Sequence, residues 1–238
     1  MPRRGFVSAN TARMAPPLVP EIVLYLADEA LPLWSRTEEE MADSGLPPPY
    51  WAFAWAGGQA LARYVLDNPD VVANRRVLDL GAGGAIAAIA AAKAGAAYVM
   101  ASEVDEFALS AIALNAAANG VVVTTLPGDL LDDTIEADVI LVGDMFYERT
   151  LAERTFAFLR RAAEAGVVVL IGDPCRTYLP QDVLSAVTTY EVQTPKSLED
   201  DDVKRTTVWQ IREHSAGAAA ASAAALRLSL ATLLAVRA

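Results

Sequence analysis

Apolar positions along this chain fall into two rhythms that alternate. Short runs, apolar almost throughout, occupy 76–80 (RVLDL), 98–102 (YVMAS), 137–143 (ADVILVG) and 166–172 (GVVVLIG). Strands apolar on both faces belong in the middle of a parallel sheet that helices cover on each side. Between them lie Ala-rich or amphipathic segments at 84–94, 106–119 and 149–165, which read as helices. The first is ended by Gly95 and the second by Asn119-Gly120. A further strand is expected at 121–126. This βαβα alternation predicts an α/β protein with a doubly wound, Rossmann-like parallel sheet and helices on both faces. The rhythm then changes. Residues 188–194 and 203–211 (VKRTTVWQI, alternating with period two) are joined by the polar PKSLEDDD, with no helix between them. Two strands joined without a crossover must pair antiparallel, so the sheet is expected to end in a C-terminal antiparallel hairpin.

Three portions follow from this pattern. Residues 1–74 carry helices and an aromatic loop laid over the sheet edge, with no domain-sized core of their own. Residues 75–213 form the core. Residues 214–238, largely Ala and interrupted by Arg227, form a tail outside it. No internal repeat is visible. The tail lacks the roughly 20 strongly apolar residues of a spanning helix, so no membrane association is expected. The basic N-terminus has only a faint likeness to a transit segment and no apolar stretch of a secretory signal, which favours a cytoplasmic protein.

Composition narrows the chemistry. The 238 residues are 54% hydrophobic and 21% charged, with a net charge of −11, a globular balance and a poor one for gripping nucleic acid. It suits a small cation or a basic protein surface. With one cysteine, Cys175, and one histidine, His214, there is no material for an intrachain disulfide framework or a cysteine-cluster metal site, and almost none for a His-based metal centre or a serine triad. No metal is expected, and acid–base work falls to carboxylates, Tyr or Lys.

The glycine turn in LDLGAGGAIA (78–87) joins a strand to a helix. The dinucleotide fingerprint G-x-G-x-x-G would need a third glycine where Ile86 stands. The acidic-x-G-x-G-x-G turn of S-adenosylmethionine (SAM) methyltransferases is met by Asp79, Gly81 and Gly83, with Ala85 in place of the last glycine. Alone, the turn fits an ordinary strand–helix connection equally well. Glu103 ends the next strand about 20 residues on, where an acid can accept both hydroxyls of a ribose. Asp105 behind it reads as a helix cap. Asp129 follows the third strand; it is either a turn residue or, with the Leu130 amide, a partner for an adenine ring. Asp144 ends the fourth strand, in VILVGDMFYERT, ahead of Phe146 and Tyr147. It is placed either to bind an amine or to cap the following helix, a role Glu148 could also fill. Tyr50, Trp51, Phe53 and Trp55 crowd between a proline run and Gly57-Gly58, as in a rigid aromatic loop able to hold a sulfonium or ammonium by cation–π attraction.

The segments PPPYWAFAWAGGQALARYVLDNP, RRVLDLGAGGAIAAIAAAKAGA, LNAAANGV, VGDMFYERTLAER and VKRTTVWQI together resemble the bacterial relatives of the electron transfer flavoprotein β-subunit lysine methyltransferase, from about Phe6 to Arg212. That resemblance implies a seven-stranded SAM-dependent methyltransferase. The acceptor would be a protein lysine, most directly that flavoprotein subunit, with ribosomal protein L11 or a small amine as alternatives. It implies Asp144 and Tyr147 in catalysis, from a D/E-x-x-Y/F motif, and Trp55, Asp79, Gly81, Ala82, Gly83, Glu103, Asp129, Leu130 and Gly143 around the cofactor. A monomer is expected. The chain departs from the family at Ala85, usually glycine, at Glu103, where with Asp105 the family has two Asp, and at Glu106, usually Pro. Two rivals remain: an NAD(P)-dependent oxidoreductase, disfavoured by Ile86 and the terminal hairpin, and a methyltransferase-fold protein that binds partners without turnover.

Overall fold

The computed structural model describes residues 3–27, 48–194 and 202–212; the tail expected at 214–238 lies outside them. In chain order the elements are α1 (Arg3–Ala9), β1 (Ala12–Met14), β2 (Leu24–Leu26), α2 (Ala56–Asp67), β3 (Arg76–Leu80), α3 (Ile86–Lys93), β4 (Tyr98–Glu103), α4 (Glu106–Ala118), β5 (Thr124–Pro127), β6 (Val139–Gly143), α5 (Arg149–Glu164), β7 (Val168–Asp173), β8 (Leu184–Gln193) and β9 (Val203–Ile211). One seven-stranded sheet runs β5-β4-β3-β6-β7-β9-β8, and β1 and β2 form a separate antiparallel pair. Strands β3 to β7 run parallel to one another. Strand β9 runs antiparallel to both β7 and β8, the terminal hairpin that the sequence pattern requires.

Burial of both sheet faces explains the near-continuous apolar runs. Val77, Val99, Val139, Leu141 and Leu170 point into one core with α2 and α3. Their neighbours Leu78, Met100, Ile140, Val142, Val169 and Ile171 point into the other, against Phe158 and Leu159 of α5. Side chains alternate across a strand, so a run buried in this way must be apolar at every position.

The sequence places residues 1–74 at the sheet edge, whereas α2 lies on the face, packed across β6, β7, β8 and β9 and against α3. Glycine permits this. A Cβ on Gly57 would land on the Gly172 carbonyl oxygen, and one on Gly172 would land on the Gly57 oxygen. The N-terminus of α2 therefore meets β7 backbone to backbone. The β1–β2 pair, which three-residue strands do not announce in a sequence, is held on α4 by side chains. Asn119 accepts from the Val23 amide at 3.0 Å and donates to its carbonyl at 2.6 Å. The fully buried Asn115 accepts from the Tyr25 amide at 2.7 Å and donates to the Gly84 carbonyl at 2.8 Å. One side chain thus joins the N-terminal segment to the glycine turn.

Candidate active site

A cavity of about 290 Å³ opens at the carboxyl ends of β3, β4 and β6, between the glycine turn and the aromatic loop. Open α/β sheets bind ligands at this edge, and the volume is near the lower end of small-molecule clefts, about 300–1,000 Å³. Of the sequence candidates, Trp55, Asp79, Gly81, Ala82, Gly83, Glu103, Gly143, Asp144 and Tyr147 all line it. Asp129 and Leu130 do not. Asp129 Oδ1 accepts from the Leu131 amide at 3.0 Å, and Oδ2 pairs with Arg154 at 2.7 Å. Both its oxygens are taken up beside the short β5.

The turn itself is made by left-handed residues. Gly81 and Gly83 have φ of +62° and +52°, and Ala85, at the head of α3, has +62°. This is a conformation glycine adopts freely and alanine only at a steric cost. Asp79 is buried under the turn and accepts from the Ala88 amide at 2.8 Å, so it fastens α3 to β3. Burial lifts its carboxyl to about 8, against the opposing pull of that amide. Glu103 accepts from the Val104 amide at 2.8 Å. Desolvation raises its carboxyl above the ordinary range, partly offset by backbone amides that include Gly83. Asp105 caps α4 through the Phe107 amide at 2.8 Å, and Glu148 caps α5 through Thr150 and Leu151.

Glu148 therefore fills the helix-capping role open to Asp144, and Asp144 does something else. It stands at the end of β6 with a left-handed backbone, φ +57°. Its Oδ2 accepts from the Gly58 amide at 3.1 Å, with the Gly57 amide beside it. These are first-turn donors of α2, whose own N-cap residue, Trp55, offers no side-chain acceptor. Asp144 thus caps a helix 86 residues upstream, where the dipole favours an anion. Its Oδ1 receives Nε of Arg176 at 3.1 Å and Nη2 at 2.7 Å. Burial pushes its carboxyl up, while Arg176 and the two glycine amides pull it back toward the charged form.

Around this pair stand the aromatics. The Arg176 guanidinium carbon lies 5.7 Å from the Trp55 ring centre, within cation–π range. Trp55 meets Tyr50 edge-on at 5.9 Å and Phe53 at 6.1 Å, and Tyr50 lies 5.7 Å from Tyr147. The Trp55 indole N–H donates to the Tyr50 carbonyl at 2.8 Å, which fixes the loop. Tyr147 is half-exposed at the rim.

Arg176 is the residue that sequence reasoning missed. It follows β7 in IGDPCR, after Cys175 at φ +66°. Its amide donates to Asp173 Oδ1 at 2.6 Å. A signal did exist: β6 and β7 both end in Gly-Asp, and Gly143 and Gly172 face each other in register. Asp173 closes the fifth parallel strand as Asp144 follows the fourth. Asp173 is fully buried, and its carboxyl rises to about 7 through burial and the neighbouring Asp144 charge.

These features accord with the comparisons. A profile of the ribosomal protein L11 methyltransferase (PrmA) family matches residues 59–161. The electron transfer flavoprotein β-subunit lysine methyltransferase of Xenopus laevis is 38% identical over 213 residues, 87% of this chain and 85% of its own length. That of Danio rerio is 40% identical over 177 residues, 73% of this chain and 67% of its own length. A solved structure from Streptococcus mutans, described as a candidate SAM-dependent methyltransferase, superposes with a TM-score of 0.50. It is 10% identical and covers 80% of this chain and 53% of its own, a likeness of fold alone.

Proposed function

The chain belongs to the electron transfer flavoprotein β-subunit lysine methyltransferase family, and from that premise we propose that it carries a methyl group from SAM to a lysine of that flavoprotein subunit. The observation that carries the reading is the placement of Asp144, a buried carboxylate held at the cavity wall by a helix N-terminus and ringed by Tyr50, Trp55 and Tyr147. A neutral nucleotide pocket has no use for such a group; an acceptor amine has.

The donor set fits the cofactor. Glu103 reaches the cavity from the end of β4, where a ribose is expected. The Gly81–Gly83 turn brings backbone to the wall, and Trp55 offers a π face to a cation. SAM supplies an electrophilic methyl on a sulfonium that departs as a neutral thioether, so no general acid is required. The remaining work is placing the acceptor nitrogen and keeping it neutral. A lysine amine has a pKa near 10.4 in water. Burial against Trp55 and Tyr147 favours the uncharged form, whose proton is lost to solvent, and Asp144 orients the amine by accepting a hydrogen bond from its N–H. Positioning of this kind can supply most of the rate. Asp144 itself, charged and well supplied with donors, is too weak a base to remove the ammonium proton unaided.

A ribosomal protein is the second reading of the acceptor, favoured by the profile match over residues 59–161. The same proposal has the enzyme act as a monomer in the cytoplasm on protein rather than nucleic acid, in keeping with its net charge of −11. The test is incubation with labelled SAM and each purified acceptor, using wild type and Asp144→Asn. Label in a lysine of the flavoprotein subunit is expected. The variant should lose about 100-fold or more in transfer while its SAM affinity by calorimetry stays within a few fold. Label in neither acceptor, or an equal loss of SAM affinity, overturns the assignment.

A further inference from the structure

Resting on that reading, we propose that Arg176 occupies the acceptor-amine position at Asp144 in the free enzyme, and that the incoming lysine enters by displacing its side chain. A carboxylate offers about four lone-pair directions. In this structure Oδ1 takes two donors from Arg176, and Oδ2 takes the Gly58 amide with the Gly57 amide beside it. A fifth donor therefore has to replace one of the four.

The two glycine amides are fixed. They belong to the first turn of α2, and α2 is locked on β7 by the contact between Gly57 and Gly172. Arg176 is what remains: its two donors sit at the tip of a long side chain that lines the cavity and is 18% exposed, while its backbone amide is held by the Asp173 carboxylate at 2.6 Å.

The exchange also balances charge. Asp144 is buried, and leaving it without a counter-ion is strongly unfavourable. Arg176 meets that need while the site is empty of substrate; the lysine enters as its ammonium and meets it in turn, and only then gives up its proton to solvent to become the neutral nucleophile. The guanidinium already lies against the Trp55 ring, 5.7 Å from its centre, where a second cation can take over the same π face. Arg176 is thereby a specificity residue: a side chain that cannot enter as a cation cannot evict it, because nothing would balance Asp144 during the exchange.

The probe is n-butylammonium, a lysine side chain without its backbone, with n-butanol as the neutral isostere. Binding is followed by calorimetry on the full chain, free and with S-adenosylhomocysteine. If the site is open in about a tenth of molecules, deleting the competitor tightens amine binding about tenfold. Arg176→Ala is accordingly expected to bind butylammonium about tenfold more tightly than wild type, and neither protein to bind butanol comparably. In wild type, the Nε–H nuclear magnetic resonance signal of Arg176 should move toward the position of a solvated arginine as butylammonium is added, which tests the exchange even if the variant does not fold. Equal amine affinity in the two proteins, or an Arg176 signal unmoved at saturating amine, overturns the proposal. A chain that takes up neither SAM nor S-adenosylhomocysteine fails the methyltransferase reading instead, and the amine titration still decides the exchange.

Discussion

Burial works against the charge of Asp144 and the donors around it work for that charge, and Arg176 likewise depends on Asp144. Each is less than a fifth exposed, at 10% and 18%. Removing one partner of such a pair strands the other, at a cost of about 3–5 kcal/mol, whereas replacing both with apolar groups costs far less. Arg176→Met alone should therefore lower the unfolding free energy by about 3 kcal/mol. Adding Asp144→Leu should recover part of that, as a double-mutant cycle in urea reads directly; strictly additive losses would mean that the pair is not coupled. Glu103 makes the complementary case. Glu103→Gln keeps an acceptor but removes the charge at the proposed ribose position, so SAM affinity by calorimetry should fall about tenfold, the loss of one charge-assisted hydrogen bond. An unchanged affinity would remove Glu103 from the cofactor site. Asp144, Glu103 and Trp55 were legible in the sequence because each interrupts a pattern: two acids closing apolar runs, and an indole in a loop too irregular for a core face. Arg176 was not. It lies 32 residues from its partner, and no periodicity joins the ends of two different strands.

Whole elements were more legible than single contacts, because burial on both faces writes itself into a strand residue by residue. The helix and strand alternation from β3 to β9 follows the apolar rhythm closely. Departures have local causes. β8 begins at Leu184 rather than near Thr188, since its register with β9 shifts between Ala186 and Thr188 and the bulge breaks the alternation. β5 is confined to Thr124–Pro127, so the apolar positions 121–123 precede the strand and pack, in part, on the core. How α2 sits could not be read at all, because glycine leaves no hydrophobic signature. Its crossing on β7 gives a sharp expectation. In Gly57→Ala the new methyl meets the Gly172 backbone and the Asp144 carboxylate, neither of which is a flexible end. Overpacking of this kind costs about 1–3 kcal/mol. It should also shift the donors on Oδ2, so transfer activity should fall by more than stability explains. A variant as stable and as active as wild type would show that α2 can lift off freely. Asn115→Ala tests the other junction. It strands the Tyr25 amide and the Gly84 carbonyl, at about 1–3 kcal/mol for a buried group left unpaired, and chemical denaturation should report that loss.

At the scale of the molecule, the site charges the fold for its chemistry, and pH should reveal it. Asp79 and Asp173 have folded-state pKa values of about 8 and about 7, both raised chiefly by burial, against an unfolded value near 3.9. Between these limits the native protein retains protons that the unfolded chain has released. Stability therefore falls as pH rises: the contribution is complete below about pH 4 and is lost as the solution passes through about 7 and 8. Carboxylates shifted the other way do not interfere. Asp138, held at about 2 chiefly by Arg76, loses its contribution only below pH 4. Net charge is a competing cause, since a chain at −11 repels itself more as it deprotonates. Asp79→Asn separates the two. The amide is isosteric with the protonated acid, can still accept from the Ala88 amide, and cannot ionise, while the rest of the charge distribution is untouched. Wild type is expected to show a lower urea midpoint at pH 8 than at pH 5, and Asp79→Asn a visibly smaller drop. Equal drops would assign the pH dependence to overall repulsion and place an ionised Asp79 beneath the glycine turn, where its charge would repel that of Glu103.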